Sequence, residues 1–188
     1  MKNKLIIILT FIFLISNGLI SQDDKSLNNV NLEFFGKGLY YSINYERNVY
    51  ELNEEISFNA SIGMCIFPGM TSIEKSNDFL MPFEISAMYS KDNHHFIFGY
   101  GTTFWKYKVL YIDIDNSNLN QQPLPPSLET IKEWFAHFSF DYKYMKPEGG
   151  LILKGGYTPL FFAASRDYKL SKKINYQTSF NIGVGWGF

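Results

Sequence analysis

Residues 180–188 are Phe180-Asn181-Ile182-Gly183-Val184-Gly185-Trp186-Gly187-Phe188. Every second residue in this stretch is large and apolar, and the residues between them are glycine or asparagine. Successive side chains of a β-strand point to opposite faces, so a period of two predicts a strand with one apolar face and one face of small residues.

The same alternation recurs along the chain before this stretch. Between residues 134 and 144, for example, every second residue is aromatic or alanine. Matching each alternating run to a strand predicts an all-β protein with eight strands. These strands are placed at residues 29–36, 38–50, 56–67, 79–90, 95–107, 133–145, 150–162 and 176–188.

The connections between the predicted strands differ in length. Tight polar turns occupy residues 52–55, 91–94 and 146–149, whereas residues 68–78, 108–132 and 163–175 form long connections. Short and long connections alternate along the chain. Segment 36–38 is the exception, because it is short although its place in the alternation is that of a long connection. In an antiparallel up-and-down barrel one class would lie at each end, as in transmembrane barrels with short periplasmic turns and longer outer loops.

The first residues have the order of a secretory signal peptide. A basic start with Lys2 and Lys4 precedes an apolar run over residues 5–15, and small residues follow. We therefore predict a cleaved signal at residues 1–21 and a mature barrel at residues 22–188. An uncleaved anchor helix is the alternative. No later stretch contains 18 consecutive apolar residues, so no spanning helix is expected after it.

The composition limits the partners and cofactors that we expect. Aromatic residues make up 18 % of the 188 residues, and the formal net charge of −1 gives no reason to expect a nucleic-acid partner. Cys65 is the single cysteine, so it cannot form an internal disulfide, and we interpret it as a small apolar strand residue. No cofactor and no metal site is predicted.

Alternation alone does not say which face of the barrel points outward. The polar face is rich in Ser and Gly, which suit the narrow interior of an eight-stranded barrel. The apolar face has large aromatic residues near strand ends, where transmembrane barrels place their interfacial girdles. Both observations favour a membrane barrel over a soluble, lipocalin-like barrel with an apolar ligand pocket. The girdle candidates are Tyr45, Tyr89, Trp134, Tyr144, Trp186 and Phe188.

An apolar outer face would leave the charged strand residues inside. Charges in a narrow lumen must be paired or hydrated, so we predict a salt-bridged polar plug. A proton or ion path is the functional alternative. The predicted network consists of Glu33, Glu46, Glu84, His137, Asp141, Lys143 and Lys154.

The ending Phe180-x-Ile182-x-Val184-x-Trp186-x-Phe188 resembles the C-terminal signature of bacterial outer-membrane β-barrels, which the barrel-assembly machinery reads. Residues 44–47 (Asn-Tyr-Glu-Arg), after a Gly-rich start, are similar to the second strand of small outer-membrane β-barrel proteins of the Bacteroidetes type. The resemblance covers residues 29–188. It implies an outer-membrane location, outer-membrane lipids as surroundings, and the assembly machinery and periplasmic chaperones as partners during biogenesis. We expect a monomer, and most members of that family have no assigned activity.

Three further patterns contain residue types that can perform chemistry or bind a ligand. The run His137-x-Ser139-x-Asp141 faintly resembles the His-x-Ser arrangement of outer-membrane lipid A deacylases, although Phe140 replaces the Asn that follows the Ser in that family. His94 and His95 point to opposite strand faces, which makes a poor metal chelate, so we expect them in a solvated turn. Residues 109–131 form a polar, Pro-containing loop, the place where we would expect a binding function.

These observations predict an integral outer-membrane barrel with a structural or surface-binding role and no catalytic activity. A lipid-modifying enzyme with His137 and Ser139 at its centre, and a soluble periplasmic ligand-binding barrel, are the alternatives.

Overall fold

The computed structural model describes residues 27–68, 77–111, 127–162 and 175–188. Within these ranges almost every residue belongs to a β-strand. The predicted signal peptide lies outside the described residues, as do most residues of the three long connections. The strands are β1 (Asn28–Phe35), β2 (Tyr41–Glu51), β3 (Ile56–Pro68), β4 (Asn77–Lys91), β5 (His94–Tyr111), β6 (Ser127–Tyr144), β7 (Gly150–Tyr157), β8 (Leu160–Phe162), β9 (Asn175–Gln177) and β10 (Phe180–Gly187).

The strands form one closed antiparallel barrel. Neighbours in sequence pair with each other from β1 to β7, and β10 closes the sheet by pairing with both β7 and β1. In the closing pair Leu32 lies opposite Val184, and Phe34 lies opposite Ile182. Closure pairs the first strand with the last, so that over the paired register neither β1 nor β10 leaves an open sheet edge. The eight-stranded all-β prediction is confirmed.

Two of the eight barrel strands are interrupted near the end where the long connections lie. β7 and β8 together make the seventh strand, broken at Thr158-Pro159, and β9 and β10 make the eighth, broken at Thr178-Ser179. Proline has no backbone N–H for the ladder. The two breaks lie side by side, and Thr158 N donates to Ser179 O at 2.7 Å.

Three predicted strand boundaries are wrong. β5 and β6 extend to Tyr111 and from Ser127, so the ends of the predicted loop 108–132 are strand instead. The second strand begins at Tyr41 rather than at residue 38, because Gly36–Gly38 form a single 3-10 turn that folds into the barrel. Phe35 (φ 63°) and Leu39 (φ 65°) flank this turn with positive φ angles, which L-residues rarely adopt.

The two faces of the sheet are segregated by polarity. On β4, Glu84 points inward and is 4 % exposed, whereas its neighbour Ile85 points outward and is 67 % exposed. The outward face of the other long strands has the same character, with Phe98 on β5 and Phe140 on β6 each half exposed. The apolar face therefore points out and the polar face points in.

The interior also contains an apolar cluster that alternation did not predict. It lies towards the end where the long connections begin, and it packs against Leu39, Tyr41, Trp105 and Phe162. Cys65 is one of its members, in agreement with its interpretation as a small apolar residue. The buried members are Cys65, Phe67, Leu80, Phe135 and Leu160.

No helix in the described part of the chain is long and apolar enough to cross a membrane.

Candidate functional site

The candidate site is the polar interior of the barrel, and its first cluster surrounds Glu84 on β4. Lys37 Nζ lies 3.1 Å from Glu84 Oε1, and His137 Nε2 lies 3.2 Å from Glu84 Oε2. All three side chains are almost completely buried. The other ring nitrogen of His137 faces the hydroxyl of Thr103 at 3.4 Å. One carboxylate from β4 thus joins a lysine of the inward turn to a histidine of β6.

A second cluster pairs Glu46 on β2 with Lys143 on β6. Lys143 Nζ donates to Glu46 Oε1 at 2.7 Å, and Asn29 Nδ2 donates to the same oxygen at 3.0 Å. The two charged residues are 97 positions apart in sequence and lie across the lumen from each other. A charge-assisted bond of this length is a strong one when it is shielded from water.

The third cluster is centred on Lys154 of β7. Its Nζ lies 3.2 Å from Glu33 Oε2 and 2.9 Å from Asp141 Oδ2, so one ammonium group bridges two carboxylates. Asn181 Nδ2 donates to both Asp141 Oδ1 and Thr158 Oγ1 at 2.8 Å. This cluster ties β1, β6, β7 and β10 together at the seam where the barrel closes.

The structure places all seven residues of the predicted lumen network inside the barrel, and it adds Lys37. Across the ion pairs seen among the described residues, four carboxylates face three lysines and one histidine. Burying a charge without a partner costs several kcal/mol, so each lumen charge depends on its neighbours. The arrangement is chemically a packed set of ion pairs.

Amide side chains fill the space between the charged clusters. Asn44 Nδ2 donates to Asn31 Oδ1 at 3.2 Å and to Ser42 Oγ at 2.9 Å, and Asn31 Nδ2 donates to Asn29 Oδ1 at 3.1 Å. The predicted network does not include these asparagines. They occupy the same alternate positions of β1 and β2 as Glu33 and Glu46, which point inward. This alternation is the signal that could have identified them.

Inward-facing glycines make room for the larger polar side chains. A Cβ atom on Gly99 would collide with Ser139 Oγ and would lie 2.8 Å from Glu84 Cδ. A Cβ atom on Gly101 would likewise overlap the His137 ring. The glycines predicted for the narrow interior thus lie beside the bulky ionisable residues on neighbouring strands.

Lys37 enters the lumen because the turn that contains it folds inward. Gly36 N donates to Ser179 Oγ at 3.1 Å, and Thr103 Oγ1 donates to the carbonyl oxygen of Lys37 at 3.2 Å. A Cβ atom on Gly36 would lie 2.9 Å from Asn181 Cβ, so the turn needs glycine both for space and for its φ of +62°. The pattern Gly-Lys-Gly in an unusually short connection is the sequence signal for this feature.

The side chains of the run His137-x-Ser139-x-Asp141 are not assembled into a nucleophile and base. His137 faces Glu84 and Thr103, whereas Asp141 faces Lys154 and Asn181. Ser139 Oγ is buried and has no hydrogen-bond partner among the described residues. An activated serine requires a base within hydrogen-bond reach of its hydroxyl, and this geometry does not provide one.

The prediction for the adjacent histidines is half wrong. They do point to opposite faces, but both belong to the start of β5 rather than to a solvated turn. His94 lies outside, where its Nδ1 is 2.6 Å from the Tyr142 hydroxyl. His95 is buried, with Nδ1 2.8 Å from Ser90 Oγ and Nε2 3.0 Å from the carbonyl oxygen of Met145. The turn is shorter than predicted because the β4–β5 ladder already pairs His94 with Lys91.

The five residues of the C-terminal pattern all lie on the outward face of the barrel. They are exposed, as their alternation with Asn181, Gly183, Gly185 and Gly187 requires. These residues are Phe180, Ile182, Val184, Trp186 and Phe188. Their role as an assembly signal stays a prediction.

No protein-family model and no curated protein matches the chain. Among solved structures, the chain is similar to the N-terminal β-barrel domain of OprF from Pseudomonas aeruginosa. The superposition has a TM-score of 0.50 and 11 % sequence identity, and it covers 88 % of this chain and 98 % of that one. At that identity the likeness concerns the fold alone. The architecture is therefore that of an outer-membrane-type eight-stranded barrel.

Proposed function

We propose that the protein is an integral barrel of the bacterial outer membrane with a structural or surface-binding role. The observation that supports this best is the outward face. Large apolar side chains cover it on successive strands, with Ile85 67 % and Ile182 63 % exposed. Soluble monomers rarely expose contiguous apolar surface on this scale, whereas a lipid bilayer would cover it.

The interior supports a role without catalysis and without an open channel. The ion pairs of Glu46 and Glu84 cross the lumen, those of Lys154 join β1, β6 and β7 inside the barrel, and the buried Gly36–Gly38 turn occupies further space within it. An eight-stranded barrel is just wide enough for its side chains. These features support a protein that acts through its surfaces and connections rather than through a channel along its lumen.

The two alternatives raised by the sequence require other geometry. A lipid A deacylase would need His137 and Ser139 accessible from the lipid side, and both are buried inside the barrel. A lipocalin-like protein would need an apolar lumen and a polar outer face, the reverse of the arrangement of Glu84 and Ile85 on β4.

The location and the assembly route are tested together in one experiment. The full chain is expressed in a diderm bacterium beside a Phe188→Ser variant, and the membranes are separated. We expect the unaltered protein in the outer membrane, with different gel mobilities before and after boiling. The variant should accumulate unassembled, because the final aromatic residue of the recognition signal is lost.

The matched control for this experiment is Phe140→Ser, which removes an outward-facing aromatic residue of β6 that is outside the C-terminal pattern and should assemble normally. A soluble periplasmic protein without a mobility shift would contradict the proposed location. Normal assembly of the Phe188→Ser protein would contradict only the assembly signal and would leave the location standing.

A further inference from the structure

The barrel has a cavity of about 370 Å³ at the end where the short turns lie. Its lining comes from the β2–β3, β4–β5 and β6–β7 turns and from the strand ends next to them. We propose that this cavity binds an aliphatic ammonium cation, a compound with a methylene chain and a primary amino group. The proposal goes beyond the structural role and does not depend on where the barrel resides.

The rim is strongly acidic. Glu54 and Glu55 of the first turn and Asp92 of the second line the cavity together with Glu51. Among the described residues, no lysine or arginine lies within ion-pairing distance of Glu54, Glu55 or Asp92. Carboxylates gathered around a concave mouth concentrate the field and attract cations.

The deeper wall offers hydrogen-bond acceptors without partners. Ser57 is 6 % exposed and lines the cavity, and its Oγ has no hydrogen-bond partner among the described residues. Asn48 uses its Nδ2 to reach Glu51 Oε1 at 2.9 Å, which leaves its buried Oδ1 unpartnered. A buried polar atom costs free energy until it is satisfied, and an ammonium group has three N–H donors and no acceptor.

The remaining lining suits a methylene chain. Met88, Met145 and Pro147 provide apolar surface beside the carboxylates. His95 adds no free donor, because one of its ring nitrogens lies 3.0 Å from the Met145 carbonyl oxygen and the other lies 2.8 Å from Ser90 Oγ. Such a mixture of an apolar wall and a few placed polar groups is typical of small-molecule sites.

The same residues are poorly arranged for a metal ion. Within the described ranges, no three His, Cys, Asp or Glu side chains are grouped closely enough to hold one. A divalent cation needs several oxygen ligands at short distance around one point. The carboxylates here are distributed around a wide rim, which fits an extended organic cation better.

The proposal is tested with the whole mature barrel refolded in non-ionic micelles. Backbone amide NMR shifts are followed during titration with 1,5-diaminopentane, at an ionic strength held constant with sodium chloride. We expect saturable shifts at Ser57, Ser90 and His95. The variant that neutralises the three rim carboxylates should bind the diamine at least about tenfold more weakly. Each exposed charge pair contributes only modestly to the binding free energy, so the tenfold loss is the sum of three small losses. That variant is Glu54→Gln/Glu55→Gln/Asp92→Asn.

A charge-matched control removes three carboxylates that do not line the cavity and should bind like the unaltered barrel. The control is Glu129→Gln/Glu133→Gln/Glu148→Gln. All substituted rim residues are exposed turn residues, so both variants should keep their heat-dependent gel mobility. Three outcomes would overturn the proposal: no saturable shift, equal weakening in the two variants, or identical shifts with magnesium chloride at the same ionic strength.

Discussion

Glu84 and Ile85 are adjacent on β4, yet they belong to two regions that follow opposite rules. The inward face of the barrel is polar, tightly packed and paired, and Glu84 depends there on Lys37 and His137. The outward face is apolar, and Ile85 has most of its surface exposed. The charged residues of the inner face are specific, because each has particular partners. In the proposed membrane location the outer face is generic, because lipid would accept any apolar side chain there.

The largest expected effect comes from breaking the inner region at Lys154. A Lys154→Met variant leaves Glu33 and Asp141 without their shared ammonium group. Removing one partner of a buried ion pair costs about 3–5 kcal/mol, because an uncompensated charge remains buried. The measurement is urea-induced unfolding in lipid vesicles, followed by tryptophan fluorescence.

The matched control is Lys132→Met, at an exposed position on β6. We expect it to change the free energy of unfolding by less than about 0.5 kcal/mol. Equal losses at the two positions would show that the inner ion pairs contribute no more than surface charges.

A charge on the outer region tests what surrounds it. Phe98 lies on the outward face of β5, opposite Phe140 and Ala87, and is 50 % exposed. Along the strand it falls between the positions that pair with the girdle candidates Tyr144 and Trp134. Phe98→Arg should destabilise the barrel by about 2–4 kcal/mol in vesicles, the cost of arginine near the bilayer midplane. Phe98→Leu, which keeps the face apolar, should unfold almost like the unaltered protein. An arginine variant as stable as the leucine variant would mean that water, not lipid, covers this face.

The smallest expected effects on stability come from replacing one inward and one outward glycine with alanine. The two replacements add the same methyl group, so their difference in unfolding free energy compares the packing of the two faces directly. Gly99→Ala places its Cβ against Ser139 and Glu84, and such overpacking costs about 1–3 kcal/mol. At Gly155 the nearest atom to a new Cβ is the Asn181 carbonyl oxygen at 3.6 Å, so Gly155→Ala should stay within about 0.5 kcal/mol of the unaltered protein. The pair is compared in the same urea unfolding assay, and the reverse order would refute the packing argument.

The strands were predictable because their signal is local. Alternation over five to nine residues places the eighth strand (β9 and β10 together) and the C-terminal end of β6 within one residue of where the structure has them. The extra length of β5 and β6 was missed because residues 108–111 and 127–132 alternate weakly. Their pairing depends on the partner strand rather than on either segment alone.

The residues of the lumen network could be predicted from the sequence, but the ion pairs that they form could not. Parity along each strand assigns Glu33, Asp141 and Lys154 to the inside, since an apolar outer face leaves them no other place. It does not say that Lys154 would join the other two, because Glu33 and Lys154 are 121 residues apart. Only closure of the barrel between β1 and β10 brings them within reach.

The sequence by itself determined the strand number, the alternation of connection lengths and which residues share a face, because all of these follow from the period of two. Tertiary structure alone decided the inward fold of the Gly36–Gly38 turn, the pairing of Lys37 with Glu84, and the acidic cavity between the short turns. These features depend on distances across the lumen, and such distances exist only after eight strands have closed into a ring.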